Sequence, residues 1–381
     1  MRGFIRARGA GYTCYWSVRD PATGKRVQHS KGGFRTRRAA QAHLNTILSA
    51  VETGAWRPDQ AVTVRQLFLE HWLPAQEARG LRASTMSMYR GAVEWHILPH
   101  LGGKRVAALA PADVTAMVEH LRSAPSAKGR RGLSPRTAQA AVGTLKAATK
   151  RASTNGLVGR DPLAGLQRPR AKSPEMRFWT ATEARAFLEA TRDDRLGFAW
   201  ALALATGLRR GELCGLTWGA IDLEARTLRV ERTLVVVDGK VAVSSAKTQA
   251  GRRTVPLGEE VVALLRTLRR RQTEERLRAG GAYAEGGALL ADELGRPYAP
   301  DAVAKKFAEA VRAAGLPRIR FHDLRHSSAT LMLAAGTPVR VVSEVLGHAN
   351  VMVTLQTYGH VVPGMAEQAT SALSASLMGR G

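Results

Sequence analysis

The apolar positions of this chain change their spacing twice, and each change marks a new stretch. In residues 1–60 the run GYTCYWSVRD alternates like a strand, PATGK reads as a turn and RVQHS as a return strand. Thr36 then stands as a cap before Ala40, Leu44, Ile47, Leu48 and Val51, whose spacing is helical, with Gly54 as the stop. Residues 61–172 carry helical spacing throughout. Val64, Leu67, Phe68 and Trp72 share one face, and Ser84 precedes a second helix with Tyr89 and Val93. Ser134-Pro135 pairs a cap with proline at the first helical position, ahead of Val142, Leu145 and Ala148. The basic loop SAPSAKGRRGLS separates these helices, and the basic, proline-rich RPRAKSPEM (168–176) is the best domain boundary.

Beyond that boundary Thr180 and Glu183 form a capping-box pattern that opens a mostly helical third stretch. One β interruption breaks it. TLRVERTLVVVDGKVAVSS holds two β-rich runs joined at Asp238-Gly239, a strong hairpin signal, and AKTQAGRRTVPL adds a second turn and a third strand. The expected fold is therefore multidomain and mainly α. It comprises a small N-terminal β-sheet plus helix unit (1–60), a helical domain (61–172), and a mixed, mainly-α domain with a small antiparallel sheet (173–381).

Charge sharpens this picture. The 381 residues carry a formal net charge of +26. Residues 1–60 hold 11 basic against 3 acidic residues, 61–172 hold 18 against 6, and 173–381 hold 28 against 22. Compositional bias alone would raise arginine everywhere, yet the excess sits in the first 172 residues. Such a surface attracts polyanions, nucleic acid above all. No apolar run approaches the roughly 20 residues that span a bilayer, and the basic N-terminus lacks an apolar signal-peptide core. Two distant cysteines, Cys14 and Cys214, fit a soluble protein of a reducing cytoplasm. His96 and His100 are four apart, but Pro99 lies between them and no third ligand is near, so no metal site is expected.

Chemistry gathers in the third stretch. Arg209 follows a Thr-Gly break in ATGLRRGELCGLTW and opens an apolar helix with Leu213 and Leu216. Lys247 lies near a turn in AKTQAGRRTVPL. His322 and Arg325 are three apart in FHDLRHSSATLML and share a face if helical. LGHANVMVTLQTYGHV supplies His348 and Tyr358. Singly each is ordinary: helix arginines are mostly solvated, turn lysines exposed, His-x-x-Arg a surface pair, and a buried tyrosine a core residue with a satisfied hydroxyl. Their ordered combination is not ordinary.

It resembles the tyrosine recombinase family, the phage-type integrases in particular. TGLRRGEL, Lys-Thr followed by Arg-x-Val-Pro-Leu, HDLRHSSAT and LGHANVMVTLQTYGHV all read as its motifs. The resemblance places the family's catalytic arginines on Arg209 and Arg325, its lysine on Lys247, its histidines on His322 and His348, and its nucleophile on Tyr358. Glu212 matches an acidic position that braces the first arginine, and the Thr-Gly-x-Arg spacing selects Arg209 over Arg210.

The reaction so implied is DNA strand transfer through a covalent 3′-phosphotyrosine. A free phenol has a pKa of ~10, so about a thousandth is ionised at pH 7. Tyr358 therefore needs a proton acceptor, for which His322 is the leading candidate, and a cationic setting from the two arginines and His348. Lys247 would protonate the leaving 5′ oxygen. Neither cofactor nor metal is implied. The partners implied are double-stranded DNA at core and arm sites, a homotetramer on two DNA sites, and an accessory DNA-bending or directionality factor, in a bacterial host cytoplasm and with no membrane. The N-terminal unit is similar to the arm-binding modules of phage integrases and the middle domain to their core-binding domain. Ala369, Leu373 and Leu377 recur every four residues, which predicts a short tail helix docked on its own domain or on a neighbour. The rival readings are a resolvase- or transposon-type recombinase, a type IB topoisomerase, and a non-catalytic DNA-binding regulator of the same fold.

Overall fold

A computed structural model describes residues 3–19, 26–52, 62–123, 132–167, 177–237, 239–245, 252–358, 374, 377 and 378. It is mainly α with small antiparallel sheets, and it divides into two compact units, Met1–Lys172 and Ser173–Gly381.

The first unit begins with strands β1 (Phe4–Arg8), β2 (Gly11–Arg19) and β3 (Arg26–Phe34) in that order, all antiparallel. β2 and β3 correspond to the two strands expected from sequence. β1 was not expected, because FIRAR exposes four of its five residues and carries no apolar alternation. Helix α1 (Arg37–Glu52) starts where the backbone N–H of Ala39 donates to Thr36 Oγ1, and it buries Ala40 and Leu44 against Cys14 and Trp16. The PATGK turn and Gly54 lie outside the described residues.

The helical part has its own core. Helix α2 runs from Val64–Gln66 through π-helical Leu67–Trp72 to Leu73–Ala78. Helix α3 runs from Ala83–Gly91 through π-helical Ala92–Ile97 to Leu98–Leu101. Both widenings precede a proline, Pro74 and Pro99, which lacks an N–H and would press on the carbonyl four residues back. The wider turn absorbs that clash, with Leu73 and Leu98 bonding five residues back to Phe68 and Val93. Ser84, expected ahead of α3, sits inside its first turn, and Arg82 holds the cap position. Helices α4 (Pro111–Ser123) and α5 (Pro135–Thr154) complete the bundle, α5 being capped by Ser134, whose Oγ accepts from Thr137 N.

In the second unit α6 (Ala181–Ala190) opens on the expected Thr180–Glu183 capping box. It packs near α7 (Gly197–Thr206), followed by the short α8 (Arg210–Cys214). Strands β4 (Ile221–Asp222), β5 (Thr227–Val230), β6 (Arg232–Val237), β7 (Lys240–Ser245) and β8 (Arg253–Pro256) form two sheets rather than one. The hairpin β6–β7 pairs Val237 with Lys240, and Gly239 takes the positive φ of 76° that its turn requires. The run read as one strand breaks at Glu231, and β8 pairs with β5 instead of extending the hairpin. That register buries Leu228, Val230 and Val255 together in the core. Helices α9 (Glu259–Ala279), α10 (Pro300–Ala313), α11 (Phe321–Ala334), α12 (Val339–Leu346) and α13 (Val351–Tyr358) follow.

Trp179, Phe187, Trp200, Phe307 and Phe321 form the centre of this unit, with ring centroids 4.7–5.9 Å apart. Truncating one such ring costs about 3–5 kcal/mol, so this cluster holds α6, α7, α10 and α11 together. Of the tail, only positions 374, 377 and 378 are described, with Leu377 and Met378 exposed; Ala369 and Leu373 lie outside the described residues. No described helix is long and apolar enough to cross a membrane.

Candidate active site

Helix α7 ends at Gly207, whose φ of +61° turns the chain in a left-handed cap. Two residues on, Arg209 occupies the N-cap of α8, and its backbone N–H and Nη1 donate to the two Glu212 oxygens at 3.0 and 2.7 Å. The helix is only five residues long, so Leu216 lies past its end rather than on it. Glu212 is buried, and its Oε2 also accepts from Arg253 Nη2 at 2.9 Å. Burial alone would raise the Glu212 carboxyl. The Arg253 hydrogen bond and charge, with Arg209 behind them, outweigh it and hold the group below the usual carboxylate range. Arg253 in turn donates from Nε to Val345 O at 2.7 Å, tying β8 to the end of α12.

Helix α11 opens with Asp323 accepting from the backbone and guanidinium of Arg320. This fixes the helix start and carries His322, Arg325 and His326 into place. Arg325 is 3% exposed, and its Nη1 donates to Gly207 O at 2.8 Å. Its Nη2 is buried with no hydrogen-bond partner among the described residues. Burial, then the Arg209 charge, push this guanidinium down to about 9, so it remains cationic at pH 7. Arg209 Nη2 meanwhile donates to Gly347 O at 3.2 Å. Each arginine is thus held by the carbonyl of a left-handed glycine that ends another helix, Gly207 after α7 and Gly347 after α12.

Gly347 also turns the chain into His348, whose Nδ1 lies 2.7 Å from Thr354 Oγ1. Burial and the charges of Arg325 and Arg209 push His348 down to about 4, so the ring is neutral at pH 7. Tyr358 ends α13 with 3% exposure, in one buried cluster with Ala329, Leu333, Val342 and Leu346. Burial drives its hydroxyl up to about 12 against the opposing pull of Arg325. The partner of that hydroxyl differs from the expected one. His322 is exposed, whereas His326 Nδ1 stands 2.6 Å from Tyr358 Oη. One helical turn separates the two histidines, and their rings meet edge to face at 5.3 Å. His326 was missed because a second histidine in HDLRHSSAT carries no sequence signal of its own. Arg253 was visible only as part of the Arg-x-Val-Pro-Leu motif.

The structure thus gathers Arg209, Glu212, His322, Arg325, His348 and Tyr358 around α8, α11 and the α12–α13 turn. Lys247 lies outside the described residues, between β7 and β8. Among the described residues no three His, Cys, Asp or Glu side chains stand together as a metal site. The glycine anchoring Arg325 has no room for a side chain: a Cβ on Gly207 would meet Leu346 Cδ2 at 2.4 Å and Ser328 Oγ at 3.3 Å. Gly207→Ala is expected to cost about 1–3 kcal/mol through the left-handed backbone alone. Calorimetry should record that loss, as the carbonyl holding Arg325 moves.

Known proteins resemble this chain in sequence and in fold. Residues 177–364 match the family model of the phage integrases, and residues 4–51 that of an arm DNA-binding domain. A XerC-like tyrosine recombinase of Caldanaerobacter subterraneus is 29% identical over 359 residues, 89% of this chain and 90% of that protein. Tyrosine recombinase XerC of Xylella fastidiosa is 30% identical over 292 residues, 74% of this chain and 88% of that protein. The Tn1549 transposon integrase, solved in complex with transposon right-end DNA, superposes with a TM-score of 0.66 at 22% identity, covering 82% of this chain and 100% of that one. By these relationships the chain belongs to the tyrosine recombinase family and is a site-specific DNA recombinase.

Proposed function

We propose that this recombinase is an integrase that cuts and rejoins DNA through a 3′-phosphotyrosine on Tyr358, integrating and excising a phage or other mobile element. The observation that carries this reading is the buried Arg325 Nη2, a cationic donor without an acceptor among the described residues, on a guanidinium near enough to Tyr358 to feel its charge. A scissile phosphate supplies the missing acceptor. Arg209 and Arg325 then grip its non-bridging oxygens, where one preorganised donor is worth roughly 10²–10³-fold in rate. The His348 tautomer in which Nδ1 accepts the Thr354 hydroxyl carries its proton on Nε2, and in this reading offers it to the same phosphate. His322, exposed beside Arg325, is a further phosphate-side group, and Glu212 braces Arg209. Lys247 is assigned to protonate the leaving 5′ oxygen. The phosphotyrosine conserves the phosphodiester bond energy, so rejoining needs no cofactor.

In this reading residues 1–60 hold arm-type sites, 61–172 grip core-type sites, and 173–381 perform catalysis. Exchange between two duplexes breaks four strands, each by one Tyr358, so four protomers assemble on two DNA sites in the bacterial cytoplasm. A DNA-bending or directionality factor sets the outcome. The test is covalent capture: incubate the protein with host and element DNA, stop with detergent, recover protein-linked fragments and sequence their ends. Fragments joined through a 3′ end at one or two reproducible sites are the expected result. Links scattered over all sequences would instead identify a topoisomerase, and tight binding without links a non-catalytic regulator.

A further inference from the structure

We propose that His326, rather than His322, is the residue that takes the proton of Tyr358 during strand cleavage and returns it during rejoining. This rests on the assignment of Tyr358 as nucleophile. The tyrosine is deeply buried and its hydroxyl is held well above neutrality, so it cannot wait as a phenolate; its proton must leave as the oxygen attacks. An acceptor must therefore already stand on the hydroxyl. Among the described residues that acceptor is His326 Nδ1, at 2.6 Å and within the usual range for a donated O–H. The ring is held between His322 at 5.3 Å and Tyr358 at 5.6 Å, on the rigid helix α11 that also carries Arg325. Burial, followed by the charges of His322 and Arg325, keeps the imidazole below its ordinary value, so it is neutral and able to accept at pH 7.

The step balances. The Tyr358 Oη–phosphorus bond forms, the phosphorus–O5′ bond breaks, and the phenolic proton passes to His326 Nδ1. The proton needed by the departing 5′ oxygen comes from the separate acid assigned to Lys247. On rejoining, the 5′ hydroxyl attacks and returns its proton to the group assigned at Lys247, the tyrosine oxygen–phosphorus bond breaks, and the His326 imidazolium gives its proton back to the tyrosine oxygen.

His326→Asn tests this, because an amide can hold the hydroxyl but cannot take a proton from it. The substrate is a core-site duplex recovered by covalent capture, made with either oxygen or sulfur at the bridging 5′ position. A thiolate leaves without a proton, so a defect on the leaving-group side disappears with sulfur while a defect on the tyrosine side persists. The variant is expected to form covalent complex roughly 10²-fold more slowly or worse on both substrates, while retaining DNA. Cleavage within threefold of the native rate would overturn the proposal, as would a defect that sulfur repairs. Should the asparagine variant lose DNA retention, His326→Gln repeats the test with the other amide length. Tyr358→Phe runs alongside. Covalent complex from that variant would overturn the nucleophile itself, whereas its absence combined with a fast His326→Asn overturns only the role of His326.

Discussion

Tyr358→Phe is expected to abolish covalent attachment to DNA while leaving the protein folded and DNA-bound. Removal of an enzymic nucleophile costs on the order of 10⁴–10⁶-fold in rate, which puts the variant below detection in a capture assay. The fold should hardly notice. The ring stays in its buried cluster with Ala329, Leu333, Val342 and Leu346, and the only group lost is the hydroxyl facing His326. One hydrogen bond of this kind contributes about 0.5–1.5 kcal/mol net. Calorimetry should therefore place the variant within a few degrees of the native protein, and a mobility-shift titration should give the same midpoint. Residual attachment above a hundredth of the native level would remove Tyr358 from the nucleophile's place.

Glu212→Gln should produce a large loss of stability. Glu212 is the carboxylate shared by Arg209 and Arg253, with Arg325 close enough to feel its charge. The Glu212 and Arg253 side chains are 5% and 8% exposed, so their pair is shielded from water. Breaking such a pair from one side leaves a buried charge without its counter-ion and costs about 3–5 kcal/mol. At roughly 2–4 °C per kcal/mol for a domain of this size, Tm should fall by about 6–20 °C. The acid response has a definite sign. Because the folded carboxyl titrates below its unfolded value, its contribution is complete above the unfolded pKa of about 4.3 and is lost as pH falls through the folded one. The native protein should therefore lose stability below about pH 4.3 more steeply than the glutamine variant. A Tm unchanged to within 2 °C at pH 7 would show that the arginines do not depend on this carboxylate.

Much of the fold was legible in the sequence because local chemistry wrote it. Thr36, Ser134 and Thr180 each cap the helix they precede, and Gly239 lies at the turn between two paired strands, while Asp238 is outside the described residues. Failures occurred where a distant segment decides. FIRAR becomes a strand only because β2 lies beside it, and the break at Glu231 follows from β8 taking β5 as its partner. Ser84 lost the cap position to Arg82, since the chain enters that helix two residues earlier than the strongest capping residue. The site divides along the same line. Residue types and their order marked Arg209, Arg325, His348 and Tyr358, but which histidine meets the tyrosine is settled by where α13 ends, 32 residues after His326.

The crossed anchoring of the two arginines bears on how the sequence can drift. Arg325 is aimed by Gly207 O, and Arg209 by Gly347 O together with the Glu212 carboxylate, so main-chain atoms set one direction and share in setting the other. A point substitution cannot delete a carbonyl oxygen. Descendants of this chain can therefore exchange many of the surrounding side chains without turning either guanidinium, provided that Glu212 and the two glycines persist. The same arrangement concentrates mutational risk: at Gly207 and Gly347 the left-handed backbone penalises nearly every other residue. Tolerance around the pocket and intolerance at these two corners have one origin.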